Sequence, residues 1–446
     1  MTEEIKVQEI ETLVETAKKA QAKYENFTQE QVDAIVKNVY QKTLDNAEKL
    51  AVSANQETGF GKVSDKVIKN TFASEQVYES IKDLPTVGVI NRRKEEKIIE
   101  IGIPLGVVAG LIPSTNPTAT VIFKSLIALK TRNAIIFSPH PKALKSILMA
   151  ADIIEQAAVE AGAPAGLVQV IKEPTLEATS ALMKHENISL ILATGGKAMV
   201  QAAYSSGNPA IGVGPGNVPA LIDATADVTN AIDCVVSSKT FDNGIICASE
   251  QALVVDKAVK EAVIEQLKAK KAYFMNEEES AKVSQFILRE TGTLNPDIVG
   301  KSASDVAKLV GISVPEETSI LISEQSEIGH HNPYSREKLT PILGLFTVDT
   351  FEAGVETCKA LLANEGTGHT AVIHTTKDAN AETFGLQMKA SRILVNTLGA
   401  LGAIGATTKL APSMTLGCGA MGGSSTTDNV TAHHLMNVKR IAYGVE

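Results

Sequence analysis

Polar and apolar positions along the chain follow one period first and another later. Over residues 1–85 apolar residues recur at three- and four-residue spacing, as in "TLVETAKKAQAKYENFTQEQVDAIVKNVYQKTLDNAEKLAVSANQETGFG", which stops at a glycine pair. That spacing predicts amphipathic helices. Residues 86–104 contain a β-type run, "KIIEIGIP". Beyond it, "GVVAGLIP", "NAIIFSP", "LVQVI" and "ISLILAT" read as strands, and "VPALID" reads as the last strand of the block. Between them "TATVIFKSLIALKTR", "KALKSILMAADIIEQAAVEAGAP", "LEATSALMKHE" and "GKAMVQAAYSSG" read as helices. Continuous apolar strands alternating with amphipathic helices predict a parallel sheet covered on both faces.

A second α/β block begins near residue 230. Its strands include "QALVVD", "SILIS", "LGLFTV", "TAVIHT" and "RILVN"; its helices include "KAVKEAVIEQLKAKKA" and "FEAGVETCKALLANEG". The tail, "GALGAIGATTKLAPSMTLGCGAMGGSS", is glycine-rich. No Pro/Ser-rich linker divides the blocks, so close packing is expected, and no internal repeat is visible.

A chain of 446 residues exceeds one ordinary core, which predicts two domains or more. Hydrophobic content of 44% and charge of 21% suit a soluble, well-buried protein. Trp is absent and the net charge is −9, which speaks against a base-stacking or broadly basic nucleic-acid surface. Four cysteines without a C-x-x-C pair argue against a disulfide framework. The N-terminus, "MTEEIKVQEIETLVETAKKAQ", has a charged amphipathic helix pattern rather than that of a signal peptide. No apolar run reaches the roughly 18 residues of a membrane span. A cytosolic protein with reduced thiols is expected.

Candidate chemistry starts with nucleotide binding. The first strand–helix junction, "GLIPSTNPTAT", lacks the G-x-G-x-x-G of a dinucleotide fold. "GVGPGN" at 212–217 leads into a strand. "ATGGKAM" at 193–199 is better placed, because it opens a helix whose free N–H groups favour phosphate. "PSTNP", "SPHP" and "TGG" all fall at carboxyl ends of strands, where ligands bind such sheets. Free cysteines are usually small core residues. Cys234 and Cys358 lie in helical patterns and Cys418 in a glycine loop, so they fit that reading. Cys247 instead follows the polar turn "DNG" and precedes a strand, a loop position where catalytic groups concentrate. The paired histidines His330–His331 and His433–His434 lack the spacing of helical metal ligands. His369, in "GTGHTA", reads as a loop residue just before a strand.

At these residues the chain resembles a family. "PSTNPTATVIFKSLIALKTRNAIIFSPHP", "ILATGG", "AAYSSGNPAIGVGPGN", "SKTFDNGIICASEQ", "YSREKLTPIL", "GTGHTA" and "LAPSMTLGCGAMGGSS" are similar to segments of the CoA-acylating branch of the aldehyde dehydrogenase superfamily. The similarity runs in order across essentially the whole chain. It is greatest to the acetaldehyde dehydrogenase half of bifunctional aldehyde-alcohol dehydrogenases and to the stand-alone acylating enzymes of bacterial microcompartments.

The resemblance implies an α/β fold of aldehyde dehydrogenase type. A Rossmann-type NAD-binding domain would span 1–230, with an oligomerisation hairpin near 88–104. A catalytic domain would span 231–415, and a segment 416–446 would return to the cofactor domain and the arm. Cys247 is implied as nucleophile, Asn116 as oxyanion donor and His369 as acid/base group in acyl transfer. NAD would be lined by Leu111, Ile112, Pro113, Ser114, Thr115, Pro139, His140, Gly195, Gly196 and Gly214, with Glu337 on the nicotinamide-side ribose and Leu416 nearby. No metal is implied. Hydrolytic relatives carry a general-base glutamate where this chain has "GVGPGN", so the acyl group is expected to pass to CoA. Glu250 is expected to be a structural carboxylate. The rival readings are a hydrolytic NAD-dependent enzyme and a non-redox cysteine acyltransferase. Implied partners are a short-chain aldehyde, CoA, a second copy of the chain, and an alcohol dehydrogenase or microcompartment shell. The chain has no alcohol dehydrogenase half, which suits either a stand-alone enzyme or one excised half.

Overall fold

The computed structural model describes residues 3–445, and side-chain surroundings from Gln8 onward. Met1 and Thr2 of the expected N-terminal helix lie outside the described residues. The helical period of the first block forms α1 (Glu3–Tyr24), α2 (Gln29–Asp45), α3 (Ala47–Thr58), α4 (Val63–Thr71) and α5 (Val77–Ile81). Thr28 and Gln31 start α2 with a reciprocal capping box, and α3 ends on left-handed Gly59.

Strands β1 (Gly88–Arg93) and β2 (Ile98–Pro104) then form an antiparallel hairpin. Next come β3 (Val107–Ile112), α6 (Pro117–Lys130), β4 (Ala134–Pro139), α7 (Leu144–Glu160), β5 (Val168–Val170), α8 (Leu176–Lys184), β6 (Ile188–Thr194), α9 (Lys197–Tyr204) and β7 (Ala210–Val213). The five strands form a parallel sheet in the order β5-β4-β3-β6-β7. Successive strands lie on one side of β3 and then on the other, which leaves a crevice between the carboxyl ends of β3 and β6. Every residue of α6 is buried, as expected of a helix that is apolar nearly all round. Its Lys124 spans the crevice floor, donating from Nζ to Leu111 O and Leu192 O at 2.8 Å each. Burial pushes this lysine down to about 7.

The second sheet has seven parallel strands. They are β8 (Val218–Ile222), β9 (Glu250–Asp256), β10 (Tyr273–Phe274), β11 (Leu321–Gln325), β12 (Ile342–Val348), β13 (Gly368–His374) and β14 (Ala390–Val395), in the order β10-β11-β12-β9-β8-β13-β14. Here the reading of one strand needs correcting. "VPALID" is β8 and belongs to this sheet, paired with β9 and β13. The first sheet instead ends with β7, in "AIGV". Residue 230 falls inside α10 (Val228–Thr240), on the second sheet's side of the crossing. Both strands are short apolar runs beside glycines, and such runs show which strand exists but not which sheet it joins.

The tail returns across the molecule. β15 (Met436–Ala442) pairs antiparallel with β2, making a three-stranded arm in the order β1-β2-β15. The short loop 131–133 fastens that arm. Arg132, left-handed at φ 60, donates from its guanidinium to Glu25 O, Thr86 O and Gly102 O. Asn133 accepts from Leu105 N and Gly106 N and donates to Leu435 O. Arg132→Ala strands three carbonyls at once. It is expected to lower the urea midpoint by the equivalent of about 3 kcal/mol. An unchanged midpoint would show that the arm holds without this guanidinium.

Candidate active site

The segment before Cys247 is conformationally unusual. Asp242, Asn243 and Gly244 are all left-handed, with φ of 47°, 55° and 72°. For non-glycine residues that region costs about 1–2 kcal/mol each, so surrounding bonds must enforce it. Asp242 N–H donates to Asp65 Oδ2 at 2.7 Å, and Asn243 Nδ2 donates to Gly300 O at 2.9 Å. The Asp242 carboxylate accepts from Lys62 N–H at 2.7 Å and from Lys66 Nζ at 3.0 Å, and pairs with Lys69. Lys66 and Lys69 belong to α4, and all three side chains of this cluster are buried. The two ammonium groups and the backbone donor hold the carboxyl below the usual range against the opposing effect of burial.

This turn delivers Cys247 partly exposed at the amino end of β9. Its Sγ lies 3.2 Å from His369 Nε2. His369 is not the loop residue its glycine neighbours suggest. It is the second residue of β13 and fully buried; the turn that holds Gly366 ends just before that strand, and the His369 N–H donates to Gly366 O at 3.0 Å. Gly368, at φ 86, has Cys418 O where a Cβ would be, at 2.0 Å. The His369 Nδ1 lies 3.0 Å from Thr370 Oγ1. Arg392, opposite Thr370 on β14, donates to Thr370 Oγ1, to His369 O and to Gly417 O. One buried guanidinium thus ties the histidine strand to the returning tail.

Gly216 packs beneath the pair. A Cβ there would stand 2.1 Å from Cys247 O and 3.2 Å from His369 Nδ1. Its N–H donates to Glu337 Oε1 at 2.8 Å. Glu250, by contrast, is fully buried and accepts from Gly399 N–H at 2.8 Å, which fits a structural carboxylate.

Asn116 stands at the start of α6. Its Oδ1 accepts from Lys69 Nζ at 2.6 Å, and its Nδ2 is 3.2 Å from Thr115 Oγ1. Lys69 therefore links Asn116 to the turn that carries Cys247. The expected cofactor residues collect at neighbouring strand ends. Leu111 and Ile112 close β3, Pro139 closes β4, and His140 N–H donates to Ile112 O. Pro113, Ser114 and Thr115 line the partly exposed loop into α6. Gly195 follows β6, Gly196 is the N-cap of α9, and Gly214 follows β7. Leu416 is buried beside Thr415, whose hydroxyl is 3.5 Å from that of Thr194 at the end of β6.

Comparison with known proteins agrees with this architecture. The sequence profile described as "Aldehyde dehydrogenase family" matches residues 2–314. The chain belongs to the aldehyde dehydrogenase family. Among family members, the bifunctional aldehyde-alcohol dehydrogenase of Escherichia coli K12 is 49% identical over 445 residues, covering 99% of this chain but 50% of that protein. The chain thus spans about half the length of the bifunctional relatives it matches. A solved acetylating aldehyde dehydrogenase from Geobacillus thermoglucosidasius superposes with a TM-score of 0.98 at 49% identity, covering 100% of this chain and 98% of that one. A propionaldehyde dehydrogenase of Rhodopseudomonas palustris, solved with bound CoA and an acylated cysteine, superposes at 0.89 with 27% identity, covering 97% of each chain.

Within this family member the resting pair is neutral. Burial, then Glu337 and Cys418, push the Cys247 thiol up to about 12, against the pull of Arg392. Burial, then Arg392, push His369 down to about 3. His369 is therefore always in its base form at neutral pH, facing a protonated sulfur. Burial and the neighbouring Glu365 raise Glu337 to about 8. Sequence reasoning missed Lys66, Lys69, Thr370, Gly216 and Arg392 as parts of the site.

The charge on Glu337 opposes a thiolate at Cys247, but only above pH 8, where that carboxyl ionises. Glu337→Gln should therefore speed alkylation of Cys247 by iodoacetamide only above that pH, reaching about threefold near pH 9.5. Peptide mass spectrometry reads the site. A ratio of one across the whole pH range would remove Glu337 from the thiol's electrostatics.

Proposed function

We propose that the chain is a CoA-acylating aldehyde dehydrogenase. It converts a short-chain aldehyde, with acetaldehyde the first candidate, and CoA to acyl-CoA with reduction of a nicotinamide dinucleotide, and runs in both directions. The observation that carries this reading is the Cys247–His369 pair at 3.2 Å, beside two carboxyl groups that each accept a backbone N–H. Glu337 accepts from Gly216 N–H and Glu250 from Gly399 N–H. A positioned base commonly contributes about 10²–10⁴-fold, and the one that faces the sulfur is His369. A thiol acceptor is far easier to ionise than water.

The residues at the strand ends suit a dinucleotide. A Cβ added at Gly196 or Gly214 meets nothing within 4 Å, so both backbones border open space, and the first N–H groups of α9 are free to receive phosphate. Gly195, Gly196, Gly214, Leu111 to Thr115, Pro139, His140 and Leu416 would hold the cofactor, and Glu337 its nicotinamide-side ribose. When bound, the nicotinamide supplies a hydride acceptor. NAD is the finer reading, carried from the family resemblance.

The protein's own groups do the rest. His369 Nε2 takes the thiol proton, and the Cys247 sulfur adds to the aldehyde carbon. The resulting oxyanion is met by Asn116 Nδ2 and a backbone N–H near Cys247; one such donor is worth about 2.7–4 kcal/mol. Loss of hydride leaves a thioester on Cys247. After His369 has released the Cys247 proton to solvent, the CoA thiol attacks the thioester carbonyl while its own proton passes to His369. The tetrahedral species expels the Cys247 sulfur, which recovers the proton from His369 as acyl-CoA departs.

We assign the five-stranded half to cofactor binding, the seven-stranded half to catalysis and the β1-β2-β15 arm to contact with a second copy. The arm strands β1 and β15 are largely exposed, which supports that assignment. No helix among the described residues is long and apolar enough to cross a membrane. Operation in the cytoplasm, alone or inside a bacterial microcompartment, is the reading carried from the resemblance.

Purified protein with acetaldehyde and NAD should give sustained NADH absorbance only when CoA is present, and no more than about one equivalent per subunit without it. Cys247→Ala should abolish turnover, and His369→Ala should lower kcat by about 10²-fold or more. Repeated turnover to acetate without CoA would overturn the reading in favour of hydrolysis.

A further inference from the structure

Asn116 occupies an N-cap position, where asparagine ordinarily bonds its own helix. Its side chain makes no cap bond here. The helix start is held instead by the main-chain oxygen, which accepts from Thr120 N–H at 3.1 Å and from the Thr120 hydroxyl. The carboxamide is turned toward Lys69, whose ammonium donates to Oδ1 at 2.6 Å. Lys69 is only 2% exposed and is also paired with the Asp242 carboxylate.

We infer that Lys69 is a positioning residue that fixes which end of the Asn116 carboxamide faces the reacting carbonyl. The two ends of an amide are alike in shape and opposite in function: one accepts, the other donates. An ammonium can only donate. Lys69 therefore holds Oδ1, while Nδ2, the only end able to stabilise an oxyanion, points away from it and donates to Thr115 Oγ1 at 3.2 Å. A hydroxyl can accept or donate, so Thr115 does not select the end. The flipped amide would set donor against donor and lose a charge-assisted bond, which disfavours it roughly 10- to 100-fold. Lys69 is itself immobilised by Asp242, five positions before Cys247. The same buried carboxylate thus sets both the nucleophile's turn and the polarity of its oxyanion donor. Lys66 shares that carboxylate and has no bond to Asn116, so the orienting role falls to one of the two lysines.

The inference rests on Cys247 as nucleophile and Asn116 as donor, and its test avoids both CoA and the nicotinamide. p-Nitrophenyl acetate acylates a cysteine through the same kind of tetrahedral oxyanion: the sulfur gains the acetyl group and p-nitrophenolate leaves. The pre-steady-state burst at 400 nm gives the acylation rate, and mass spectrometry confirms acetyl on Cys247. Asn116→Ala should slow the burst by about 10²–10³-fold. Lys69→Met should slow it by at least about tenfold, because the Asp242 carboxylate behind the lost ammonium then draws Nδ2 toward itself and favours the flipped amide. In the Asn116→Ala background Lys69→Met should add less than about twofold, because two residues acting as one unit are not additive. Lys69→Gln keeps one N–H for Oδ1 without the charge and should recover most of the rate.

A Lys69→Met burst within about twofold of wild type overturns the inference. So do multiplying losses in the double variant, or a Lys69→Gln variant as slow as Lys69→Met. Asn116→Asp covers the case in which Lys69→Met fails to fold. It keeps an acceptor for Lys69 and removes the donor, so it should melt at or above the wild-type temperature yet be as slow as Asn116→Ala. A wild-type burst rate in Asn116→Asp also overturns the inference. A wrong acyl acceptor in the proposed reaction would leave all these burst rates unchanged and would show only in the CoA dependence of NADH formation.

Discussion

The buried carboxylate of Asp242 is the constraint on which the rest of the site depends. Three successive left-handed residues form a conformation that an isolated peptide would abandon. Two lysines and a backbone N–H converge on that carboxylate, while its own N–H is held by Asp65. Burying an ammonium or a carboxylate alone costs several kcal/mol; burying them in mutual contact recovers much of that. Gly61 shows how tight the fit is, since a Cβ there would fall 1.7 Å from Asp242 Oδ1. Helix α4 of the first half and the cysteine turn of the second half are thereby fixed to each other.

A second buried cation serves the opposite wall. Arg392 joins His369 O, Thr370 Oγ1 and Gly417 O, so the histidine and the tail share one anchor. Between the two walls the backbone is stripped of side chains. Gly216 lies against Cys247 and Gly368 against the tail, each with no room for a methyl group. The sulfur and imidazole that result are both neutral at rest.

The alternation of apolar strands and amphipathic helices made both α/β blocks legible, and the loop position of Cys247 marked it for chemistry. Its role, and those of Asn116 and His369, came from the family resemblance rather than from spacing. What stayed hidden has a common physical cause. β8 and β7 are short apolar runs flanked by glycine, so their sheet membership is decided by tertiary pairing. His369 read as a loop residue because the turn holding Gly366 ends immediately before its strand, and the pattern does not show where that strand begins. Lys66 and Lys69 sit in "DKVIKN", where a helical wheel would put the apolar residues inside. The structure does the reverse: Ile68 is 51% exposed while Lys66, Lys69 and Asn70 are buried. A helix whose apolar residue faces water while its lysines face the core announces that something buried needs those lysines. That inversion is detectable only once the partner carboxylate is known.

The returning tail has a consequence for synthesis. Arg392 needs Gly417 O, Thr415 touches the end of β6, and Asn133 holds Leu435 O. A ribosome releases these residues only after the nucleophile has been outside the exit tunnel for many seconds. Until they arrive the histidine strand lacks its anchor and the arm its third strand. The growing polypeptide therefore carries an unfinished reaction centre throughout that interval.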